Sequence, residues 1–174
     1  MKDKDDAARL LRFYRGEGVD DAGRTLDQIL AWDDAMLEYM HDYIQWLFPL
    51  RVPSSFHPEA PVLTDEVVGA FHADPTLRSA LMRSLNRMLA FYGLKRGDRG
   101  GAGVIEPSDT FPERRRVWLR PNNHNHLRLT RILTCLRELG LPAEADALRR
   151  CLKRIAAENP GTVTDQTLRY WASA

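Results

Sequence analysis

Two series of polar residues in this chain carry side chains that could do chemistry. In the first, Asp34, Glu38, His41 and Gln45 follow one another at spacings of four, three and four; in the second, His124, Arg128, Arg131 and Cys135 repeat those spacings, with Asn125 beside them. On a helix, residues three and four apart share one side, so each series reads as a stripe. A Glu/His pair can exchange protons, and neighbouring arginines can hold a carboxylate or phosphate through charge-assisted hydrogen bonds. The same groups could instead satisfy one another as a buried network that fixes how two helices pair. In a ligand site built from them, Trp46 or Trp118 would supply an apolar wall.

Other chemistries have weaker signals. Glu38-Tyr39-Met40-His41 has the Glu-x-x-His spacing of helical di-iron sites, but those sites need a second such pair, and the chain offers none. His124-x-His126 falls on a helix, where alternate residues point apart, so it is a poor chelate. Neither a metal nor a cofactor is expected. The glycines from Gly97 to Gly103 match neither the dinucleotide fingerprint nor the P-loop. No Gly-x-Ser-x-Gly is present, and both cysteines lie within amphipathic helices. Two basic clusters, Arg114-Arg115-Arg116 with Arg120 and Arg149-Arg150 with Lys153-Arg154, could grip phosphates. Such runs are usually solvated faces, and a net charge of +1 gives no global attraction to nucleic acid or an anionic membrane. Nucleic acid is therefore not the expected partner.

The elements that must position these residues are helical. Apolar spacing predicts a first helix over 6–15, ended by Gly16 and Gly18. Thr25 with Gln28 forms a capping box for a second, whose buried side is Leu26, Ile29, Leu30 and Trp32. Asp33-Asp34 marks a break or a fresh N-terminus. From there one helix is expected over 34–47, apolar around more than half its circumference, hence central, and stopped by Pro49. Residues 51–61 read as an extended connector. Thr64 caps a short helix, and Asp74-Pro75 opens a long one that stops at Gly93. Residues 95–120 are expected to form a long Gly/Pro/Arg-rich loop, with Val117-Trp118-Leu119 returning it to the core. Asn122 or Asn123 caps a helix ending at Gly140, Pro142 opens the next, and Thr164 leads into a last one. No strand alternation or internal repeat stands out. The expected fold is all-α: a single-domain bundle of about seven helices over residues 1–174.

Length and composition fit that picture. A chain of 174 residues suits one domain, and 44% hydrophobic with 28% charged residues is ordinary for a globular protein. Two cysteines, Cys135 and Cys151, are too few for a disulfide framework, so reduced, semi-buried thiols are expected. The N-terminus lacks the apolar core of a signal peptide, and no apolar run nears the roughly 20 residues of a membrane helix. The expected setting is a soluble, cytoplasmic one.

Four segments resemble the opioid growth factor receptor conserved domain. They are Glu38 with His41-Asp42-Tyr43-Ile44-Gln45-Trp46-Leu47-Phe48-Pro49-Leu50-Arg51; Leu63-Thr64 followed by Glu66-Val67 and Phe71; Met88-Leu89-Ala90-Phe91-Tyr92-Gly93-Leu94, then Asp98-Arg99-Gly100; and His124-Asn125-His126-Leu127-Arg128-Leu129-Thr130-Arg131-Ile132-Leu133. The family typically has Asn where this chain has His126. The matches cover about 25–141. The resemblance implies a helical domain linked with enkephalin-like peptide binding in animals, and the chain's shortness beside those receptors suggests a prokaryotic-type short member. The leading expectation is a non-enzymatic binding module. It would take a peptide or small anionic ligand in a polar inter-helix cleft of Glu38, His41, Gln45, Trp46, His124, Asn125, Arg128 and Arg131. One alternative is an enzyme with Glu38 or His41 as general base and Arg128 or Arg131 stabilising an anion. Another is a nucleic-acid or protein interaction module using the arginine clusters.

Overall fold

Several helix starts in the computed structural model are set by local capping chemistry. The structure describes residues 2–97 and 103–174; Asp98-Arg99-Gly100 of the third family segment, and Gly101 of the glycine cluster, lie outside the described residues. Ten α-helices and two short strands are found among the described residues. They fall into two compact units, residues 1–85 and residues 86–174.

The first unit contains α1 (Lys2–Tyr14), α2 (Leu26–Leu30), α3 (Asp34–Tyr39), α4 (Ile44–Leu47), α5 (Asp65–Ala73) and the start of α6 (Pro75–Tyr92). The capping box forms as expected: Gln28 N donates to Thr25 Oγ1 at 3.2 Å and Thr25 N donates to Gln28 Oε1 at 2.8 Å. Asp33 caps α3 by accepting from Met36 N at 2.8 Å, and Thr64 caps α5 by accepting from Val67 N at 3.3 Å. Phe13 packs against Trp46 at 5.1 Å between ring centroids, and Tyr14 meets Phe71 edge-on at 4.9 Å. Burying side chains of this size contributes ~1.5–3 kcal/mol each.

The single helix expected over 34–47 is not formed. Met40 takes an extended conformation (φ −81°, ψ 140°) that ends α3, and α4 starts only at Ile44. Two side-chain contacts hold this break. Tyr43 Oη donates to Leu37 O at 3.0 Å, and the Asp42 carboxylate accepts from Arg24 Nη1 at 3.1 Å. The break also resolves the excess of apolar residues that a continuous helix would have had to bury. Met36 and Tyr39 stay exposed, at 42% and 79%, while Tyr43, Ile44, Trp46, Leu47 and Phe48 are buried.

The second unit contains the end of α6, then β1 (Leu94–Arg96), β2 (Ile105–Pro107), α7 (Phe111–Trp118), α8 (Asn125–Glu138), α9 (Pro142–Glu158) and α10 (Asp165–Ser173). α8 packs on α9 and α10, with Leu129, Ile132, Leu133, Leu136, Leu148, Leu152 and Ile155 buried. The turn between α8 and α9 places Gly140 at φ +85°, where a side chain would be strained.

Where a long irregular loop was expected, the described residues form two paired strands and then α7. β1 and β2 pair antiparallel with Leu94 opposite Pro107 and Arg96 opposite Ile105. Only Leu94 and Ile105 are buried, one residue per strand, too little for an alternation to be read. The last carbonyls of α6 have no partner within their helix, and the segment that follows supplies them. Phe91 O accepts from Arg114 Nε at 2.7 Å, Tyr92 O from Trp118 Nε1 at 3.0 Å, and Gly93 O from Ser108 N at 2.9 Å. Trp118 is fully buried, so the anchoring expected of residues 117–119 holds. The helical class stands, but the count of about seven helices and the long Gly/Pro/Arg-rich loop do not.

Candidate functional site

The start of α8 gathers an unusual amount of buried polarity. Asn125 is wholly buried, His126 is 3% exposed and Arg128 is 5% exposed. Asn123 builds the approach to it. Its Oδ1 accepts from Asn125 N at 2.9 Å, and its Nδ2 donates to Val117 O at 2.9 Å, so one amide fastens the end of α7 to the beginning of α8. Asn122 takes φ +58° in the same turn, a conformation that asparagine tolerates better than most residues. His124 occupies the N-cap position without a side-chain capping bond and is exposed.

Arg128 and Asn125 meet: Arg128 Nη1 donates to Asn125 Oδ1 at 3.3 Å. Arg131, one turn further, is half-buried, and removal from water lowers the pKa of its guanidinium from the ordinary arginine value. An arginine remains cationic at neutral pH even so. The wall of this region runs through His126. Its ring lies edge-on between Trp118, at 6.4 Å, and Trp171, at 5.6 Å. Nε2 sits 3.0 Å from Trp118 O, an acceptor, so that nitrogen carries the proton; buried Nδ1 has no hydrogen-bond partner. Burial lowers the pKa of His126 first, the bond to Trp118 opposes this, and the nearby His124 lowers it further. His126 is thus a neutral, enclosed imidazole with one nitrogen committed to the backbone.

The first series behaves differently from its helical reading. Glu38 is half-buried on α3, His41 is exposed in the connector 40–43, and Gln45 is buried on α4. With the helix broken at Met40, the four-three-four spacing no longer sets them on one face. Gln45 Nε2 donates to Ser54 Oγ at 3.3 Å, while its buried Oε1 has no hydrogen-bond partner. Trp46 is fully buried; its Nε1 donates to Asp21 Oδ2 at 3.0 Å, and Arg9 stacks on its ring at 5.1 Å. Asp21 also accepts from Arg9 and lies 3.2 Å from His57 Nε2. The first series belongs to the first unit and the second series to the second.

Sequence reading missed His126 with Trp171, and Asp21 with His57, because each pair is distant in sequence and no spacing rule connects it. It also left the arginine run 114–116 as a solvated face that could grip phosphates. Arg114 instead holds the end of α6 and lies over Phe91 at 4.9 Å, and Arg115 bonds Asn159 and lies over Phe111 at 5.8 Å. Both cysteines are free and buried, more deeply than the semi-buried expectation. Among the described residues, no group of three His, Cys, Asp or Glu side chains could hold a metal ion, and no helix is long and apolar enough to cross a membrane.

Comparison with known proteins places this chain in a family. Residues 3–174 match the family described as the opioid growth factor receptor conserved region. The chain is 42% identical over 136 residues to the opioid growth factor receptor of Rattus norvegicus, covering 75% of this chain and 23% of that protein. It is 40% identical to the Homo sapiens receptor, with 75% and 20% covered. To opioid growth factor receptor-like protein 1 of Mus musculus it is 34% identical, with 75% and 28% covered. The chain therefore spans less than a third of the curated relatives it matches. No solved structure matches it at a significant level. The expectation of a prokaryotic-type short member is corrected by these findings, since the relatives named here are mammalian and a further one is from an amphibian. The chain belongs to the opioid growth factor receptor family.

Proposed function

We propose that this chain is a binding module that takes a peptide or small anionic ligand through the polar start of α8, with Arg128 and Arg131 receiving the anionic group. The observation that carries this reading is the buried pair of Asn125 and Arg128, one turn from an arginine that is itself drawn out of water. A guanidinium presents five donors. The bond to Asn125 Oδ1 orients the Arg128 guanidinium, and a guanidinium can receive a carboxylate through two-pronged, charge-assisted hydrogen bonds. The name of the relatives, receptors for an opioid growth factor, agrees with a peptide as ligand. A catalytic reading has less support. His126 is neutral and committed to Trp118 O, and the helical spacing that would have paired Glu38 with His41 as acid and base is not formed.

Calorimetric titration with an enkephalin-type pentapeptide, as the free acid and as the C-terminal amide, tests the proposal. Losing one charge-assisted contact of ~1.5–3 kcal/mol corresponds to weakening by roughly 10- to 100-fold. The free acid should therefore bind at least ten times more tightly than the amide, and Arg128→Ala or Arg131→Gln should remove that preference. His41→Ala, measured in parallel, reports whether the exposed imidazole contributes. Equal binding of acid and amide, or unchanged binding by folded variants of both arginines, would overturn it.

A further inference from the structure

We infer that a cleft between α9 and α10, separate from the residues at the start of α8, binds a small amphiphilic anion, with an apolar body on α10 and a carboxylate, sulfonate or phosphate head at the α9 rim. The cleft encloses about 380 Å³ and is lined by Arg149, Arg150 and Lys153 from α9 and by Leu168, Trp171 and Ala172 from α10. Both sets repeat at helical spacing, so each helix turns one face to the cavity. The volume falls in the ordinary range of small-ligand sites, ~300–1,000 Å³, which are mostly apolar with a few placed polar groups.

The two walls offer complementary halves of one ligand. Trp171 is 2% exposed, and its only N–H is spent on His126 O at 3.3 Å, so the indole can offer the cleft nothing but carbon. Leu168 and Ala172 extend that surface along α10. On the opposite wall, Arg149 is positioned by two contacts: Nη2 on Asp146 Oδ1 at 2.9 Å, and Nη1 on Ala172 O at 3.3 Å, which ties it across to α10. Asp146 also receives Arg137, so its one negative charge is divided between two arginines. Arg150 donates to Gly103 O at 2.9 Å, a neutral acceptor that orients the guanidinium without cancelling its charge. Lys153 stands exposed at the rim, one turn from Arg149 and Arg150. The rim thus holds three cations over an apolar floor, and of these Arg149 shares the Asp146 carboxylate with Arg137, which also donates to Ala174 O. A neutral hydrophobe would give Arg150 and Lys153 no anionic partner, and a small inorganic anion would leave the floor unfilled. The combination selects for a ligand with both parts.

The test uses 2-naphthoate as the amphiphilic anion, 2-naphthalenemethanol as the same body without charge, and acetate as the charge alone. Binding is followed at the indole N–H resonance of Trp171, assigned with Trp171→Phe, in a ¹⁵N–¹H correlation spectrum whose dispersion also reports that each variant is folded. Naphthoate is expected to shift that resonance saturably, and the alcohol and acetate to bind at least tenfold more weakly. Lys153→Glu combined with Arg150→Gln should weaken naphthoate tenfold or more, and Leu168→Asp should abolish the shift. Arg128→Ala should leave naphthoate binding unchanged, which separates this site from the one at the start of α8. No shift of the Trp171 resonance, equal binding of naphthoate and the alcohol, or unchanged binding by the folded Lys153→Glu/Arg150→Gln variant would overturn the inference.

Discussion

Replacing Gly93 by alanine separates two costs that glycine avoids, and the structure sets the size of each. Gly93 sits at φ +73°, and a Cβ built on it would lie 2.7 Å from Phe111 Cα, 3.1 Å from Phe111 N and 2.9 Å from Arg114 Cβ. The first cost is the left-handed conformation, ~1–2 kcal/mol for a residue with a Cβ. The second is overpacking against the backbone of α7, which cannot swing aside as a long side chain could, at ~1–3 kcal/mol. Together these predict a loss of roughly 2–5 kcal/mol for Gly93→Ala. Gly161 supplies the control within the same unit, with φ +79° and nothing within 4 Å of an added Cβ. Gly161→Ala should therefore lose only the ~1–2 kcal/mol of the conformational term. Urea unfolding followed by tryptophan fluorescence measures both, and the difference between the variants reads the close approach alone. In Gly93→Ala the displaced α7 should also weaken the bonds from Arg114 to Phe91 O and from Trp118 to Tyr92 O, seen as faster amide exchange around residues 92–94. Equal losses in the two variants would refute the claim that α7 is seated on the end of α6.

Two further predictions follow from burial. Because the folded protein lowers the pKa of His126 below its usual value near 6.5, the unfolded chain takes up a proton before the folded one does. Stability from this group is thus full above about pH 6.5 and is lost as pH falls through the lower folded value. His126→Asn should flatten the slope of stability against pH below 6.5, and an unchanged slope would show that other groups carry it. The two thiols should be inert in the native state. Burial raises the pKa of Cys135 far above the ordinary thiol value and that of Cys151 to about 11. Reaction with an aromatic disulfide reagent at pH 8 should therefore be slow until urea is added, and rapid native labelling of either cysteine would contradict the packing of α8 and α9.

Four helix starts were legible because capping is local, whereas α8 begins after His124 and not after the expected Asn122 or Asn123 cap. Thr25, Asp33, Thr64 and Thr164 each reach a backbone N–H within three residues, a signal that sequence carries in full. The amphipathic faces of α8 and α9 were legible for a similar reason, since helical period alone marks them. What could not be read depends on partners far along the chain. The break at Met40 is held partly by Arg24 on Asp42, and nothing in the apolar run 36–48 announces it. The strands flank residues 97–104 and bury one side chain each, so no period forms. At the candidate site, Arg128 and Asn125 were legible as neighbours on a helix face. The histidine that proved buried there, His126, stood out only as a departure from the family pattern. Its enclosure depends on Trp118 and Trp171, and Trp171 lies 45 positions away.

Arginine is where sequence reading and structure differ most, and the reason lies in what a guanidinium bonds. Five donors in a rigid fork can be spent on carbonyls, and each carbonyl fixes geometry without neutralising charge. Arg114 is half-buried against Phe91 and closes the end of α6, so its removal would cost structure before it cost any ligand. Arg150 makes a similar carbonyl bond but stands exposed at the rim of a cleft with an apolar floor. Clustering in sequence could not separate these cases, since 114–116 and 149–154 look alike as basic runs. Position relative to a cavity separates them: Arg114 and Arg115 fasten helices, whereas Arg149, Arg150 and Lys153 line a space. Anion recognition in this unit should therefore follow Arg149, Arg150 and Lys153 at one place and Arg128 with Arg131 at another. Arg114→Ala and Arg115→Ala should lower stability without changing the affinity of either ligand, and a selective loss of binding with stability intact would reverse that assignment.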